Sequence, residues 1–496
     1  MNAQKGSGIY NVIAIGAGSA GLITSAAISG LGGRVALIEK AKMGGDCLNY
    51  GCVPSKGLIS SARLVHSIRE GEKWGLDRQD PQFEFTKVFE SMRSRRAKIE
   101  PNDSQERFEK LGVDVFRGEA RFVSPHEIEV DGLKLRAKNF VITAGSRARI
   151  PDIEGINDVP YFTNETIFDK LDRKPQEIII IGGGPIGCEL GQVFNRLGVK
   201  VYLLQRGPHI LPKEDPDVAD FMRQQFEAEG IHMLTGRTPR KIVYREGKHH
   251  LTVESSQPDG SVQSETIVAD VFLAAAGRIP NIEKLNLEAA GVAYSERGIR
   301  VNKFLQTSQS HIYAAGDIVG FYQFTHLADY HARLVVENII RRMILPFRVL
   351  NKLTETDYGC LPWATYTSPE IGQVGLNETA AKKQGIPYDL YKIDMGEVDR
   401  AIVERHDKGF LKVLTQKGSD KILGATLLSE HGGDLIHEFI LAMKHNIGLG
   451  QMAKTVHIYP TFSEVARKVG DAYNKTLLTP KKHSFLKWLF KWQLKG

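Results

Sequence analysis

Residues 9–40 read IYNVIAIGAGSAGLITSAAISGLGGRVALIEK. An apolar run, Val12 to Ile15, enters Gly16-Ala17-Gly18-Ser19-Ala20-Gly21. An alanine-rich helical segment follows, and a second strand runs from Arg34 to Ile38 and ends at Glu39. The plan recurs at 177–206, EIIIIGGGPIGCELGQVFNRLGVKVYLLQR. There the strand is Ile178 to Ile181, the glycines are Gly182, Gly184 and Gly187, and the second strand ends at Gln205. Glu39 follows Gly16 by 23 residues and Gln205 follows Gly182 by the same 23. A lone G-x-G-x-x-G is weak evidence. Two matched copies, each after a strand and opening a helix, define an internal repeat of a βαβ unit that binds a dinucleotide. The expected fold class is α/β: two doubly wound Rossmann-like domains plus an α+β C-terminal domain.

The chemistry of each copy follows from its residue types. The glycines allow a tight turn and close approach of a pyrophosphate to a helix N-terminus. Glu39 stands where a carboxylate accepts from a ribose 2′-hydroxyl; the bland alternative is a surface residue ending a strand. Gln205 removes the repulsion that a carboxylate exerts on a 2′-phosphate, and Arg206 offers it a cation, which favours NADPH over NADH.

The remaining organisation is read outward from these units. Residues 57–110 have apolar and charged residues at helical spacing, followed by short β-type runs (VDVFRGEARF, EIEVDGLKL). FTHLADYHARLVVENIIRRM is an amphipathic helix. Beyond Leu353, WATYTS, GFLKVLT and ILGATLLS are strand-like and GGDLIHEFILAMKHNIG is helical. The expected domains are 1–155 and 279–352 for a first dinucleotide-binding domain, 156–278 for a second, 353–472 for an α+β domain and 473–496 for a basic amphipathic tail.

Composition bounds the class. The chain has 496 residues, 42% hydrophobic and 25% charged, as expected of a globular protein of about three domains. Four Cys are too few for a secreted disulfide framework. No signal peptide or apolar run long enough to span a membrane is evident, so a cytoplasmic location is expected. A net charge of +7 over this length is a weak signal for nucleic acid, and no such partner is expected.

Residues 44–56 read GGDCLNYGCVPSK. Cys47 and Cys52, five positions apart, are open to structural, metal-binding or redox readings. No second Cys or His pair has ligand spacing, so no metal site is expected. Five residues of regular helix rise about 7.5 Å, too far for a disulfide, so a bridge needs irregular backbone at Cys47. Pro54 suits a first helical turn, which puts Cys52 at a helix N-terminus, where the dipole stabilises a thiolate.

With this segment the chain closely resembles the class I pyridine nucleotide-disulfide oxidoreductases: dihydrolipoyl dehydrogenase, glutathione reductase and mercuric reductase. The resemblance runs from about Ile9 to Val469. Besides C-x4-C-V-P-S-K and the two dinucleotide motifs it includes Thr143-Ala144-Gly145, Ala276-Gly277-Arg278-Ile279-Pro280-Asn281 and Ala315-Gly316-Asp317. It implies FAD held by Gly16, Gly18, Ser19, Gly21, Glu39, Lys40, Gly45, Lys56, Thr143, Ala144, Gly145, Gly316 and Asp317, with Glu39 on the adenosine ribose and Asp317 on the ribityl chain. It implies NADP (or NAD) on Gly182, Gly184, Gly187, Gln205, Arg206 and Gly277. It implies electron flow from NAD(P)H through flavin to a Cys47–Cys52 disulfide, with Cys52 beside the isoalloxazine and Cys47 meeting substrate. Lys56 and Glu189 match an ion pair near the flavin, and the resemblance implies a homodimer with a shared active site.

The departures narrow the activity. Where the family places a His before Pro-Thr, this chain has Tyr459, with Glu464 matching the supporting carboxylate. A phenol is a poor base at neutral pH, which weakens the dihydrolipoyl dehydrogenase and glutathione reductase readings. His457, two residues away, reads as a non-catalytic neighbour. GCELGQVF and VDRAIVE resemble the mercuric reductase branch, yet that branch carries a vicinal Cys pair near the C-terminus. Here only Cys188, a small buried hydrophobe, and Cys360, without an evident partner, remain. Asp46 replaces the usual Thr and puts a carboxylate beside Cys47, which raises that thiol's pKa unless something screens it. Tyr50 puts an aromatic ring inside the Cys loop.

In the tail, Phe485, Trp488, Leu489 and Trp492 recur at helical spacing among Lys481, Lys487, Lys491 and Lys495. Two readings stand: an interfacial helix for anionic membrane and a helix packing on its own dimer. The expected function is an FAD-dependent oxidoreductase passing electrons from NAD(P)H to a small disulfide, metal ion or quinone-like acceptor. The rivals are a dihydrolipoyl dehydrogenase working with NAD and a membrane-docked flavoprotein sensor or scaffold of low turnover.

Overall fold

The computed structural model describes residues 5–256, 259–344 and 352–494. They form two compact units: 1–210 with 226–356, and 211–225 with 357–496.

In the first unit, β1 (Ile9–Ile15) runs into helix α1 (Ser19–Gly30) and returns as β2 (Val35–Glu39). β1 is central. It pairs in parallel with β2 on one side and with the strand Leu133–Ile142 on the other, while Val113–Arg117 extends the sheet beyond β2. Tyr10, Val12, Ile13 and Ala14 are fully buried. A strand covered on both faces reads as a continuous apolar run, and each large apolar side chain buried contributes about 1.5–3 kcal/mol. The second copy repeats the arrangement with Glu177–Ile181, the helix Pro185–Arg196 and Lys200–Gln205. Its sheet is parallel throughout, with His232–Thr235 and Val271–Ala274 at the edges. The register is also copied: Ile15 faces Ile38, and Ile181 faces Leu204. The expected α/β class with two dinucleotide units is therefore present.

The glycine spacing has a steric cause. A Cβ on Gly21 would lie 1.8 Å from the Gly16 carbonyl oxygen, and one on Gly187 1.9 Å from that of Gly182. No side chain fits where the helix crosses the end of its strand.

Some local expectations are corrected. The stretch 57–110 is not continuously helical. α2 (Gly45–Asn49) and α3 (Cys52–Arg69) are followed by a 3-10 turn at Glu70–Trp74, and helix resumes at Phe85–Ile99 and Gln105–Lys110. Gly75, at φ 78°, ends the first section in the left-handed region, and the Pro81-containing link to the next helix has no regular secondary structure. The irregular backbone expected at Cys47 lies instead at Tyr50 and Gly51, because Cys47 sits within α2.

The C-terminal unit contains a five-stranded antiparallel sheet, ordered Pro362–Thr365, Glu370–Gly375, Ile422–Ser429, Phe410–Gln416 and Tyr388–Asp394. The strand expected over WATYTS stops at Thr365, and the helix expected over 432–448 is broken into Gly432–Leu435 and His437–Lys444. Lys412, almost fully buried, is neutralised by Asp215 (2.8 Å), Asp217 (2.8 Å) and Glu378 (2.9 Å). That pairing is what a buried ammonium requires, and it ties the 211–225 segment to this unit. The helix Pro480–Gln493 ends the described chain; Lys495 lies outside the described residues.

Candidate active site

Cys52 is the first residue of α3 and Cys47 lies in the preceding short helix α2. Both are unbridged, Cys52 exposed and Cys47 half-buried. The hydrogen bond from Cys47 pulls the Cys52 thiol well below its ordinary pKa, with help from Thr325 and the charge of Lys56. The same bond, with burial, pushes Cys47 up. These influences push the two thiols in opposite directions, Cys52 toward the thiolate and Cys47 toward the protonated form.

Thr325 was absent from the sequence-derived candidates. Its Oγ1 lies 3.3 Å from Cys52 Sγ, and it is the first residue of the helix Thr325–Ile344. Two helix N-termini therefore meet at one sulfur, and their dipoles favour its negative charge. The signal that could have found it was a hydroxyl residue at the start of an amphipathic run.

Asp46 does not act on Cys47 unscreened. Its Oδ1 is 3.1 Å from Arg278 Nη2 and accepts from Asn164 Nδ2 at 3.3 Å. Arg278 Nε donates to Ser146 Oγ (2.8 Å), and Ser146 Oγ donates to Asp317 Oδ2 (2.6 Å). Arg278 also lies 3.7 Å from Asp317, whose carboxyl is raised mainly by burial. The Asp46 charge accordingly adds little to the rise of the Cys47 thiol, which comes from the Cys52 bond and burial. Arg278 and Ser146 were not candidates, although Arg278 stands inside the quoted Ala276–Asn281 motif. Tyr50 keeps its ring 5.6 Å from the Lys42 ammonium, and its carbonyl accepts from Asn164.

Lys56, one turn into α3, pairs with Glu189 at 2.8 Å; the carboxylate is buried in the helix Pro185–Arg196.

The expected FAD residues gather at the end of the first sheet. Glu39 accepts from the backbone N–H of Ala17 (2.7 Å) and of Ala41 (2.6 Å). Thr143 Oγ1 donates to the carbonyls of Ile15 (3.1 Å) and Gly16 (2.8 Å), Ala144 follows, and Gly145 closes the turn. Gly45 abuts Gly18, and Ser19 begins α1, whose N-terminus has no side-chain cap. Lys40 pairs with Glu119 at 3.2 Å. A cavity of about 370 Å³, lined by Gly16, Glu39, Lys40, Glu119, Ala144 and Asn281, opens here. An uncapped helix N-terminus, a side-chain-free cradle and a carboxylate beside a cavity fit the adenosine and pyrophosphate of a dinucleotide. Gly316 and Asp317 begin a 3-10 turn next to the Arg278 network.

In the second dinucleotide copy Gln205 Oε1 accepts from Gly183 N–H at 3.1 Å, repeating the Glu39–Ala17 bond with an amide. The N-terminus at Gly184 is again uncapped, with Gly182 and Gly187 in the turn. Arg206 is exposed, and Gly277 accepts from Arg149 N–H. Among the described residues no cluster of three or more metal ligands occurs.

Tyr459 and Glu464 belong to the C-terminal unit. Tyr459 is exposed and donates to Asp399 Oδ2 at 2.9 Å, which raises its pKa. Glu464 pairs with Arg467 (2.7 Å) and Lys468 (3.5 Å), not with Tyr459. Asp399 is the carboxylate that the sequence reading missed. His457 places Nδ1 against the Thr455 carbonyl (2.9 Å) and Nε2 against Glu438 (2.8 Å), so both ring nitrogens are engaged within the unit. Cys188 is fully buried, and burial pushes its thiol up.

Fold and site define an enzyme with two dinucleotide units and a dithiol at a helix N-terminus. The family model "Pyridine nucleotide-disulphide oxidoreductase" matches residues 10–332, and that family's dimerisation domain matches 361–469. The chain belongs to this family of NAD(P)H-dependent, FAD-binding oxidoreductases acting on sulfur groups or metal ions, and its dimerisation domain makes it a homodimer. It is 31% identical to the mercuric reductase of Lysinibacillus sphaericus, the match covering 94% of this chain and 83% of that one. It is 32% identical to the dihydrolipoyl dehydrogenase of Thermus scotoductus, over 94% and 98%. Among solved structures, the Cu(II) complex of the HOCl-induced flavoprotein disulfide reductase RclA from Escherichia coli aligns with a TM-score of 0.81 at 25% identity, covering 94% of this chain and all of that one.

Proposed function

We propose that this protein is an NADPH-dependent reductase in which Cys47 and Cys52 relay an electron pair from the flavin to a small disulfide or a metal ion. The observation that carries the reading is the placement of the Cys pair: Cys52 begins α3 with its Sγ 3.3 Å from Thr325 Oγ1 at the start of a second helix, and Cys47 lies in the short helix just before it. Bound FAD would supply the two-electron chemistry that links NADPH to the oxidised Cys pair. The spans 1–155 and 279–352 hold FAD in this reading, 156–278 holds the nicotinamide cofactor and 353–472 joins the two subunits.

This chain's residues do the rest. Gly16, Gly18, Ser19 and Gly21 hold the FAD pyrophosphate, and Glu39 its ribose. Lys56, held by Glu189, supplies positive charge near the redox centre. Gln205 and Arg206 select the 2′-phosphate of NADPH. When the Cys47–Cys52 bond takes up two electrons, Cys52 keeps the negative charge beside the Lys56 ammonium and Cys47 takes a proton. Cys47 attacks one sulfur of the acceptor disulfide and its proton passes to the other sulfur, which leaves as a thiol. Cys52 then attacks Cys47 of the mixed disulfide, re-forming the internal bond and releasing the second thiol. The net change is one NADPH and one proton consumed for two thiols formed.

Tyr459 offers no free proton, because its hydroxyl is donated to Asp399. It is therefore no replacement for the family's acid–base His, which disfavours dihydrolipoamide oxidation. Small-molecule acceptor, a second copy of the chain and, through the basic C-terminal helix, an anionic membrane surface complete the partners.

The test is anaerobic titration with NADPH and NADH, followed by a panel of acceptors. Cys52→Ala is expected to abolish the long-wavelength thiolate-to-flavin absorbance and disulfide reduction while leaving bleaching of flavin by NADPH. Normal disulfide turnover in that variant, or fast lipoamide-dependent NADH formation by the wild type, overturns the reading.

A further inference from the structure

The helix Pro480–Gln493 is locally encoded. Thr479 Oγ1 caps it by accepting from Lys482 N–H, and Pro480 occupies its first turn. Fourteen residues make a rod about 21 Å long. None of its side chains is buried: Phe485 is 58% exposed, Trp488 59%, Phe490 62% and Trp492 64%. At about 100° per residue, Trp488, Trp492, Phe485, Leu489, Leu486 and Phe490 cover an arc of about 200°, with Lys487 and Lys491 opposite and the first-turn Lys481 and Lys482 and the last-turn Gln493 at the two ends of the apolar face. Phe485 and Trp488 stack with ring centroids 5.9 Å apart.

Charge indicates what this face meets. After Asp471 the sequence has no acidic residue, while Lys475, Lys481, Lys482, Lys487, Lys491 and Lys495 follow. Among the described residues no carboxylate pairs with Lys481, Lys482, Lys487 or Lys491. The family's dimerisation domain ends at 469, before the helix begins. A self-complementary contact between two such helices would bring like charges together with no acid to offset them. An arc this wide, rich in Trp and flanked by Lys, matches a bilayer interface: aromatic rings sit at headgroup level and Lys side chains reach out to lipid phosphates.

We propose that the C-terminal helix docks the enzyme on the surface of a bilayer rich in anionic phospholipid, lying in the interface plane. It does not cross the bilayer; among the described residues no helix is long and apolar enough to do so. The proposal is independent of the reaction assigned to the Cys pair.

The test uses the purified full-length FAD-loaded homodimer. It is sedimented with phosphatidylcholine vesicles, with and without about one-third phosphatidylglycerol, at about 0.1 M and 0.5 M salt. The expected result is binding at least about tenfold stronger to the anionic vesicles, weakened at the higher salt. Two double variants, Trp488→Ala with Trp492→Ala and Lys487→Gln with Lys491→Gln, are expected to lose about tenfold or more of that binding. Their NADPH-driven reduction of a soluble disulfide and their dimer mass are expected to be unchanged. No binding, equal binding to both vesicle types, or wild-type binding by both variants overturns the proposal. So does loss of the dimer in the variants, which would make the helix a contact between subunits.

Discussion

Arg278 Nη2 and Asp46 Oδ1 form an ion pair at 3.1 Å, one residue from Cys47. This pair resolves an apparent conflict in the active-site loop. A carboxylate next to a thiol that must ionise is unfavourable, and the guanidinium supplies the compensating charge. Because Arg278 also contacts Ser146 and lies near Asp317, removing it leaves two carboxylates without their cation. Arg278→Ala is expected to slow Cys47 alkylation about tenfold at fixed pH, equivalent to about one pKa unit, and to weaken FAD retention. Adding Asp46→Asn is expected to restore the alkylation rate. An unchanged rate in Arg278→Ala would show that the pair does not screen Cys47.

Thr325 is expected to set how far the Cys52 thiolate survives toward acid. A lowered thiol pKa means that the thiolate is present above that pKa and is lost as pH falls through it. In Thr325→Val the hydroxyl contact is gone, so the loss should occur at a pH about one unit higher, the scale of one hydrogen bond to a charged group. The measurement is the pH titration of the long-wavelength absorbance in two-electron-reduced enzyme. Superimposable titrations would remove Thr325 from the site.

Lys56 and Glu189 are expected to shift the flavin potential in opposite senses. Glu189→Gln leaves the ammonium uncompensated and favours negative charge on reduced flavin, raising the midpoint potential by about 30 mV. Lys56→Met removes the cation and lowers it by a similar amount. Anaerobic dye equilibration reads both, and shifts of the same sign would refute the electrostatic account.

The Tyr459–Asp399 hydrogen bond leads to a quiet phenotype. Positioned acid–base groups contribute about 10²–10⁴ in rate. Tyr459→Phe and Asp399→Asn are each expected to keep disulfide turnover within about threefold of wild type. A hundredfold loss in Tyr459→Phe would make the phenol a catalytic group after all.

Cofactor choice is checked at Arg206. Arg206→Ala is expected to raise KM for NADPH about tenfold with little change for NADH, because only the 2′-phosphate is lost as a partner. Parallel changes for both cofactors would place Arg206 outside the binding site.

The two dinucleotide units were legible because every signal for them is short-ranged. The 23-residue offset in the sequence is the same offset that pairs Ile15 with Ile38 and Ile181 with Leu204. The N-terminal position of Cys52 follows from Gly51 and the proline-containing first turn. The irregular backbone expected at Cys47 lies three to four residues later, at Tyr50 and Gly51, since nothing in GDCLN prevents a helical turn. Tyr459 was readable as a departure, but its partner was not: Glu464 lies on its own helix with Arg467 and Lys468 nearer to hand, and Asp399 is sixty residues upstream.

The sequence by itself determined the repeated βαβ plan, the glycine turns and the Cys pair at a helix start, because backbone sterics and near-neighbour hydrogen bonds act over a few residues. Only the tertiary structure decided that Thr325 faces Cys52 across 273 positions of sequence and that Arg278 answers Asp46. Those contacts depend on which strand lies beside which in the sheets. Burial of whole apolar faces fixes that order, and no single segment records it.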